Sequence, residues 1–429
     1  MAVVHVVGAG LAGLATALRL SERRLPVRLF EAAQQAGGRC RSYHDRALGQ
    51  VIDNGNHLLL SGNREALDYL AAIGSEGSLL GPAEARFPFL DLASGERWEV
   101  RPNRGRCPLW IAQRSRRVAG TGPGDYLAGA WRLARAGADD TVAACLARER
   151  ALWRRFWEPL ARAILNTPPE HGSARLLWAA LRHSFAQGGA GCRPLIARAS
   201  LAASLIDPAL ERLAERRVPV AFGQRLRAVT RQDGRAQSLD FGPHRIVLGV
   251  ADQIVLALPP GQAGALLPEI TVPEGSHAIV NGHFRLSAPV RLPGGAPLLG
   301  LVGGTAEWLF LRAQTVSLTV SAADALADQP AEAIAARLWA DTARALGVAA
   351  APQPPGRIVK ERRATFAQTP AAVVQRPPAT TAWANLLLAG DWTATGLPAT
   401  IEGAIRSGRQ AAELAAGRLT AAGAPLTEW

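Results

Sequence analysis

Three glycines near the start of the chain, Gly8, Gly10 and Gly13, stand in G-x-G-x-x-G spacing. That spacing suits the binding of a dinucleotide pyrophosphate. The first glycine allows a tight turn, the second lets the backbone approach the phosphates, and the third lets the next helix pack closely on a sheet. Leu11 and Ala12 would add backbone N–H groups at a helix start, where the dipole favours an anion. Glu31 follows 18 residues after Gly13, placed to accept hydrogen bonds from a ribose 2′-hydroxyl, which disfavours NADP. A second group of chemically capable residues is Gly37-Gly38-Arg39 and Asp53-Asn54-Gly55-Asn56-His57. Two glycines free the backbone there, and Arg39 can place a guanidinium beside a phosphate. His57 is the first candidate for a general acid, because an imidazole titrates near neutral pH. Asp53 and Glu402 are weaker candidates, and Glu402 has the alternative role of anchoring a helix start. For His57 the alternative is a structural one, orienting its own loop.

Regular elements must hold these residues in place. Val3 to Val7 is a short β-branched run, the pattern of a buried parallel strand. Leu11, Leu14, Ala15 and Leu18 share the helical period over Leu11 to about Ser21, and Val27 to Phe30 forms a second strand after Pro26. The plain alternative is a tight strand–helix turn without a ligand. A secretory signal fits poorly, since no basic lead precedes the apolar start and three glycines interrupt it. At the far end, Asn385 to Ala389 reads as a strand that Gly390 and Asp391 close. Thr393 to Pro398 then reads as a loop, and Ala399 to Ala415 as a helix, with proline well placed at its start.

Between these ends the spacing predicts a helix at 58–74 and strands and turns at 85–112. A mostly helical stretch from 124 to 187 and a further helix at 193–214 follow. Strands are expected at 218–222, 225–229, 254–258, 278–286, 308–311 and 316–320, with a helix at 330–346 and a Pro-rich linker at 350–356. Six of the 11 tryptophans lie between 98 and 178. They either fill a helical core or line a cavity for a long apolar substrate.

The chain has 429 residues, 48% hydrophobic and 19% charged, enough for two domains with a large core. Of its 48 basic side chains all but Lys360 are arginine, and the formal net charge is +13. The arginines are scattered and no nucleic-acid motif accompanies them, which argues against nucleic acid. An anionic membrane surface remains a plausible partner. Cys40, Cys107, Cys145 and Cys192 show no C-x-x-C spacing, so neither a metal site nor a disulfide framework is expected, and a reducing cytoplasm fits. No stretch reads as a membrane span.

The Gly-Gly-Arg loop and the Asp53–His57 segment after the glycine motif resemble the extended FAD fingerprint of the amine oxidase and phytoene desaturase superfamily. The stretch Val359 to Pro370, with Gly390-Asp-Trp-Thr-Ala-Thr-Gly-Leu-Pro-Ala-Thr-Ile-Glu-Gly-Ala404, is similar to the squalene-associated FAD-dependent desaturases, understood as hydroxysqualene dehydroxylases of bacterial hopanoid synthesis. The resemblance covers essentially the whole chain. It departs at one turn, where Leu25-Pro26 replaces a usual glycine. It implies an α/β fold: a Rossmann-like FAD-binding domain interleaved with a mixed α+β substrate domain. The boundaries expected are 1–75, 193–262 and 357–429 for the first and 76–192 and 263–356 for the second. It implies FAD as cofactor, held by Gly8, Gly10, Leu11, Ala12, Gly13, Glu31, Gly38, Arg39, Asn54, Gly55, Asn56, His57, Gly390, Asp391, Ala399, Thr400 and Ile401. The implied reaction converts hydroxysqualene, a C30 isoprenoid, to squalene with loss of water. Carotenoid-type desaturation, amine oxidation and a non-catalytic prenyl-binding role are the alternatives. Amine oxidases carry a Tyr just before the last helix, and here that stretch is Leu397-Pro-Ala-Thr-Ile-Glu-Gly403. Expected partners are the membrane surface, met through apolar residues around Trp110 or Trp308–Phe310, and other enzymes of squalene synthesis. The expected location is cytoplasmic, peripheral to the membrane.

Overall fold

The computed structural model describes residues 2–148, 150–348 and 352–421. The β-branched runs at both ends come together in one parallel sheet. Its order is Val220–Ala221, Val27–Phe30, Val4–Val7, Gln253–Leu256 and Leu386–Leu388. All three residues of Leu386–Leu388 are buried, as expected for a strand covered on both faces. One face carries the helices Leu11–Glu22 and Ile401–Ala421. The other face packs Phe30, Phe241 and Trp392 against a small three-stranded sheet built from residues 228–247.

A second sheet has seven strands, in the order Gly356–Phe366, Ser276–Arg285, Thr315–Val320, Trp308–Arg312, Leu298–Val302, Phe87–Asp91 and Arg97–Val100. Alternation along these strands separates two cores. Leu309, Leu318 and Val280 face the helix Ala331–Leu346. Trp308, Phe310, Leu298, Phe89 and Trp98 face the other way, against helices drawn from residues 123–183. The fold is α/β, a Rossmann-like sheet unit interleaved with a mixed α+β unit.

Three expectations change. The strand Gly356–Phe366 does not return to the parallel sheet at residue 357, but pairs antiparallel with Ser276–Arg285 along most of its length. The second unit therefore extends to Phe366, because a long twisted strand satisfies its backbone best beside another long strand. The helix expected from 193 begins later. Pro194–Ala197 is a strand bonded to Leu59–Leu60 and Leu79–Leu80, and the helical run starts at Leu201. Trp110, Trp308 and Phe310, around which exposed apolar residues were expected, are themselves buried in the aromatic core. Residues 350 and 351 of the linker expected at 350–356 lie outside the described residues.

Candidate active site

The three motif glycines are needed for different reasons. A Cβ on Gly13 would stand 1.8 Å from the Gly8 carbonyl oxygen, and one on Gly8 would stand 2.4 Å from the Ala257 oxygen. Both positions are closed by the protein's own packing, and Gly8 also has φ of +105°. Gly10 is different. Its backbone is ordinary, with φ of −74°, and a Cβ there would meet nothing within 4 Å. The protein alone does not need glycine at that position, so the open approach suits a pyrophosphate. Gly38 forms the far side of the cradle, 3.4 Å from the Gly10 Cα through its own missing Cβ. Glu31 closes the second strand and accepts the Ala9 N–H at 2.7 Å and the Ala33 N–H at 2.9 Å. Its carboxylate is thereby fixed at the mouth of the turn.

The C-terminal helix begins further forward. Ala12 touches Gly408, Thr16 Oγ1 donates to the Gly408 carbonyl at 3.0 Å, and Arg19 pairs with Glu413 at 2.8 Å. The two helices therefore run in the same direction. Taken together, these contacts put Ile401 about four residues, or ~6 Å, ahead of Leu11 along that direction. Both positive helix ends thus open to one side, at two depths, as an extended dinucleotide requires. Thr400, Ile401 and Glu402 donate their N–H groups to no acceptor among the described residues. The Ala399 N–H is occupied, bonded to Gln368 Oε1 at 2.8 Å. Gly390 has φ of +147° and donates to Ser407 Oγ at 2.8 Å. Buried Asp391 receives Arg39 at 2.6 Å, which joins the Gly-Gly-Arg loop to the C-terminal strand. These features fit FAD. The glycine cradle, Glu31 and the first helix would hold the ADP end, and Arg39, Asp391 and the second helix the flavin end.

The loop between Asp391 and Pro398 is held by a residue the motifs did not mark. Arg376 is buried and donates to the carbonyls of Asp391 at 3.0 Å, Thr393 at 2.9 Å and Leu397 at 2.8 Å, and to Thr395 Oγ1 at 2.9 Å. Burial pushes its guanidinium down to about 10, still charged at neutral pH. Nothing in the spacing of Arg376 distinguishes it from other arginines.

The Asp53–His57 segment lies against the polar end of the seven-stranded sheet. Asp53 is buried and pairs with Arg312 at 2.8 Å. It also accepts Ser42 Oγ at 2.6 Å and the Leu201 N–H at 2.9 Å, the latter at a helix start. These donors give it a structural role, tying Arg312, Ser42 and the helix start at Leu201 together. Asn54 accepts the Arg41 N–H at 3.3 Å, and Asn56 donates to Thr319 Oγ1 at 3.0 Å and to Asn281 at 3.3 Å. Both side chains are engaged by protein, so what this segment can offer a cofactor is its backbone. Desolvation pushes His57 down to about 4, partly offset by Asp53. The expectation of titration near neutrality therefore changes, and the ring is neutral at physiological pH. Glu402 faces elsewhere. It accepts the N–H groups of Glu65 at 3.1 Å and Ala66 at 2.9 Å, at the start of the helix Arg64–Ala72. It caps that helix, and burial raises its carboxyl above the usual carboxylate range.

A small pocket is lined by Asp53, Asn56, His57, Phe310, Arg312 and Ser317, with Ile196, Ala197 and Leu201 closing it. Arg312 and Ser317 were not marked in the sequence. Ser317 Oγ lies 2.8 Å from His283 Nδ1, and burial pushes the His283 imidazole down to about 4. Phe310 marks the change of character. Beyond it the same sheet face is aromatic, with Phe89 and Trp98 stacked at 5.5 Å and Trp308 tilted against Phe89.

Comparison with known proteins accords with this geometry. Residues 11–416 match the family described as flavin containing amine oxidoreductase. The chain is 48% identical over 97% of its length to a hydroxysqualene dehydroxylase of Rhodopseudomonas palustris, covering 99% of that protein. It is 46% identical over 96% of its length to one of Sinorhizobium fredii, covering 98% of it. Among solved structures, cyclohexylamine oxidase from Brevibacterium oxydans superposes with a TM-score of 0.70 at 16% identity, over 98% of this chain and 99% of that one, a likeness of fold. The chain belongs to the flavin-containing amine oxidoreductase family and, within it, to the hydroxysqualene dehydroxylases.

Proposed function

We propose that this protein reduces hydroxysqualene to squalene with loss of water, as a step in bacterial hopanoid and squalene synthesis. The observation that supports the reading is a small polar pocket lined by Asp53, Asn56, His57, Arg312 and Ser317 beside the cofactor segment, in a chain 48% identical to a hydroxysqualene dehydroxylase. The substrate is a long hydrocarbon with one hydroxyl, and that pocket would receive the hydroxyl. Bound reduced FAD supplies the hydride that replaces that hydroxyl, and one proton from solvent completes the water. Hydroxide is a poor leaving group, so the departing oxygen needs donors aimed at it. Arg312 is the permanently charged donor of the pocket, and Asp53 fixes its position. His57 contributes a neutral ring N–H, and Ser317, oriented by His283, contributes its hydroxyl. Phe310, Ile196 and Leu201 keep bulk water from the carbon that loses oxygen.

The substrate resides in lipid, and no helix among the described residues is long and apolar enough to cross a membrane. We therefore place the enzyme on the cytoplasmic membrane surface, beside other enzymes of squalene synthesis. Photoreduced enzyme mixed anaerobically with hydroxysqualene is expected to reoxidise its flavin and release squalene. Flavin that stays reduced with hydroxysqualene, yet becomes reduced from the oxidised state by a polyene, would make the protein a desaturase instead.

A further inference from the structure

The helix Pro123–Ala134 buries Tyr126, Gly129 and Leu133 on one side. On the other side, Leu127 is 53% exposed and Trp131, one turn later, is 59% exposed. A short turn, Leu109–Ala112, adds Leu109 at 65% exposure. The two segments are locked together by Trp110 and Tyr126, whose rings meet edge-on at 5.1 Å. Their sequence neighbours Leu109 and Leu127 are therefore both turned outward from one joint. Exposed large apolar side chains grouped in this way mark an interaction site.

The charge around them is one-sided. Residues 101–140 hold eight arginines and three acids, Asp125, Asp139 and Asp140, and Asp140 accepts the Gly137 N–H at 2.7 Å. Asp125 is occupied in the helix start, accepting the Gly122 N–H at 2.7 Å. Arg104, Arg106 and Arg114 are exposed, and Arg135 lies over the Trp131 ring at 4.5 Å. Among the described residues none of these four joins an ion pair. An indole and two leucines flanked in sequence by exposed guanidinium groups, one of them over the indole, suit the boundary between phosphate headgroups and acyl chains. Two copies of this surface would bring like charges together. Behind it, ring contacts run inward from Tyr126 to Phe156 at 6.0 Å, Phe156 to Phe185 at 6.0 Å and Phe185 to Phe87 at 5.3 Å. The surface is thus joined by ring contacts to the aromatic core of the second unit.

We propose that Leu109, Leu127 and Trp131, with Arg104, Arg106, Arg114 and Arg135, form the face that docks on an anionic lipid bilayer. The proposal rests on the reading that the substrate is drawn from lipid. The test is flotation of the FAD-loaded full chain with vesicles of phosphatidylcholine and phosphatidylglycerol, and with phosphatidylcholine alone. The wild type is expected to float with the anionic vesicles and much less with the neutral ones. Leu127→Asp/Trp131→Asp should lower binding about tenfold or more, equivalent to roughly 1.4 kcal/mol. Arg104→Glu/Arg106→Glu/Arg114→Glu should act in the same direction. Val247→Asp/Val250→Asp, at another exposed apolar spot, should float like wild type. Bound-flavin absorbance confirms that each variant is folded. If the wild type floats and the Leu127/Trp131 variant floats equally, this face is not the dock, although the membrane reading stands. If the wild type does not float on anionic vesicles, both fail. A wild-type dimer that Trp131→Asp dissolves would make the face a contact between copies and overturn the proposal.

Discussion

Gly8, Gly10 and Gly13 act within a single strand–helix turn, and they act through the backbone. Asp53, His283, Arg312 and Ser317 act through side chains, and they come from four separate strands. The cofactor half of the site is therefore a local object, written in consecutive residues. The substrate half depends on which strand lies beside which, and on register. His283 stands opposite Ser317 only because Ser276–Arg285 pairs with Thr315–Val320 in that register. A slip of one residue would turn each of these side chains to the other face. Local backbone chemistry tolerates no side chain at a few positions, whereas the polar pocket tolerates no change in a network.

The strongest way to break the comparison is at the glycines. Gly10→Val should abolish FAD binding while the apoprotein stays folded, since a Cβ there meets no protein atom within 4 Å. Gly13→Ala should fail to fold, since its Cβ would collide with the Gly8 carbonyl. Flavin absorbance and thermal unfolding read both outcomes. A yellow Gly10→Val protein would remove the cofactor assignment of the cradle.

The next largest effect is expected at Arg312. Arg312→Leu leaves the buried Asp53 carboxylate without its cation, which typically costs about 3–5 kcal/mol. It should also slow single-turnover flavin reoxidation by about 10²–10³-fold, as for loss of a positioned donor. Adding Asp53→Asn should recover much of the stability and none of the rate. Recovery of both would reduce Arg312 to a partner of Asp53 alone.

Acid tests the network more gently. Burial lowers His57 and His283 from the usual 6.5 to about 4. Between those values the unfolded chain binds more protons than the folded one, so stability falls as pH drops from 6.5 toward 4. Thermal unfolding should show this loss, and His283→Gln should flatten it. Single-turnover rates should show no His57 inflection near pH 6.5; an inflection lost in His57→Gln would restore the imidazolium role.

The smallest effect is expected at Glu402. Glu402→Gln weakens a cap on the helix Arg64–Ala72 and should cost about 1 kcal/mol in thermal unfolding. Flavin reoxidation should proceed at the wild-type rate. A folded variant slowed a hundredfold would return Glu402 to the chemistry.

The sequence alone determined the cofactor half. A strand, three spaced glycines, a helix and Glu31 form one continuous unit whose geometry follows from backbone sterics. The Gly390–Asp391 strand end and its helix repeat that logic at the other terminus. The sequence also determined the aromatic character of the second unit, through its tryptophans. Tertiary structure decided the rest. Asp53 and Glu402 look alike as isolated carboxylates, and only their neighbours show that one balances Arg312 and the other caps a helix. His57 looks titratable until burial depresses it. Trp110 and Trp131 have the same side chain, yet the first is buried against Tyr126 while the second is exposed beside Arg135. Arg312, Arg376 and Ser317 carry no motif, because their roles come from strand register and loop closure across long sequence separations. Backbone conformation is set mainly by nearby residues, whereas desolvation and charge pairing are set by whatever the fold brings alongside.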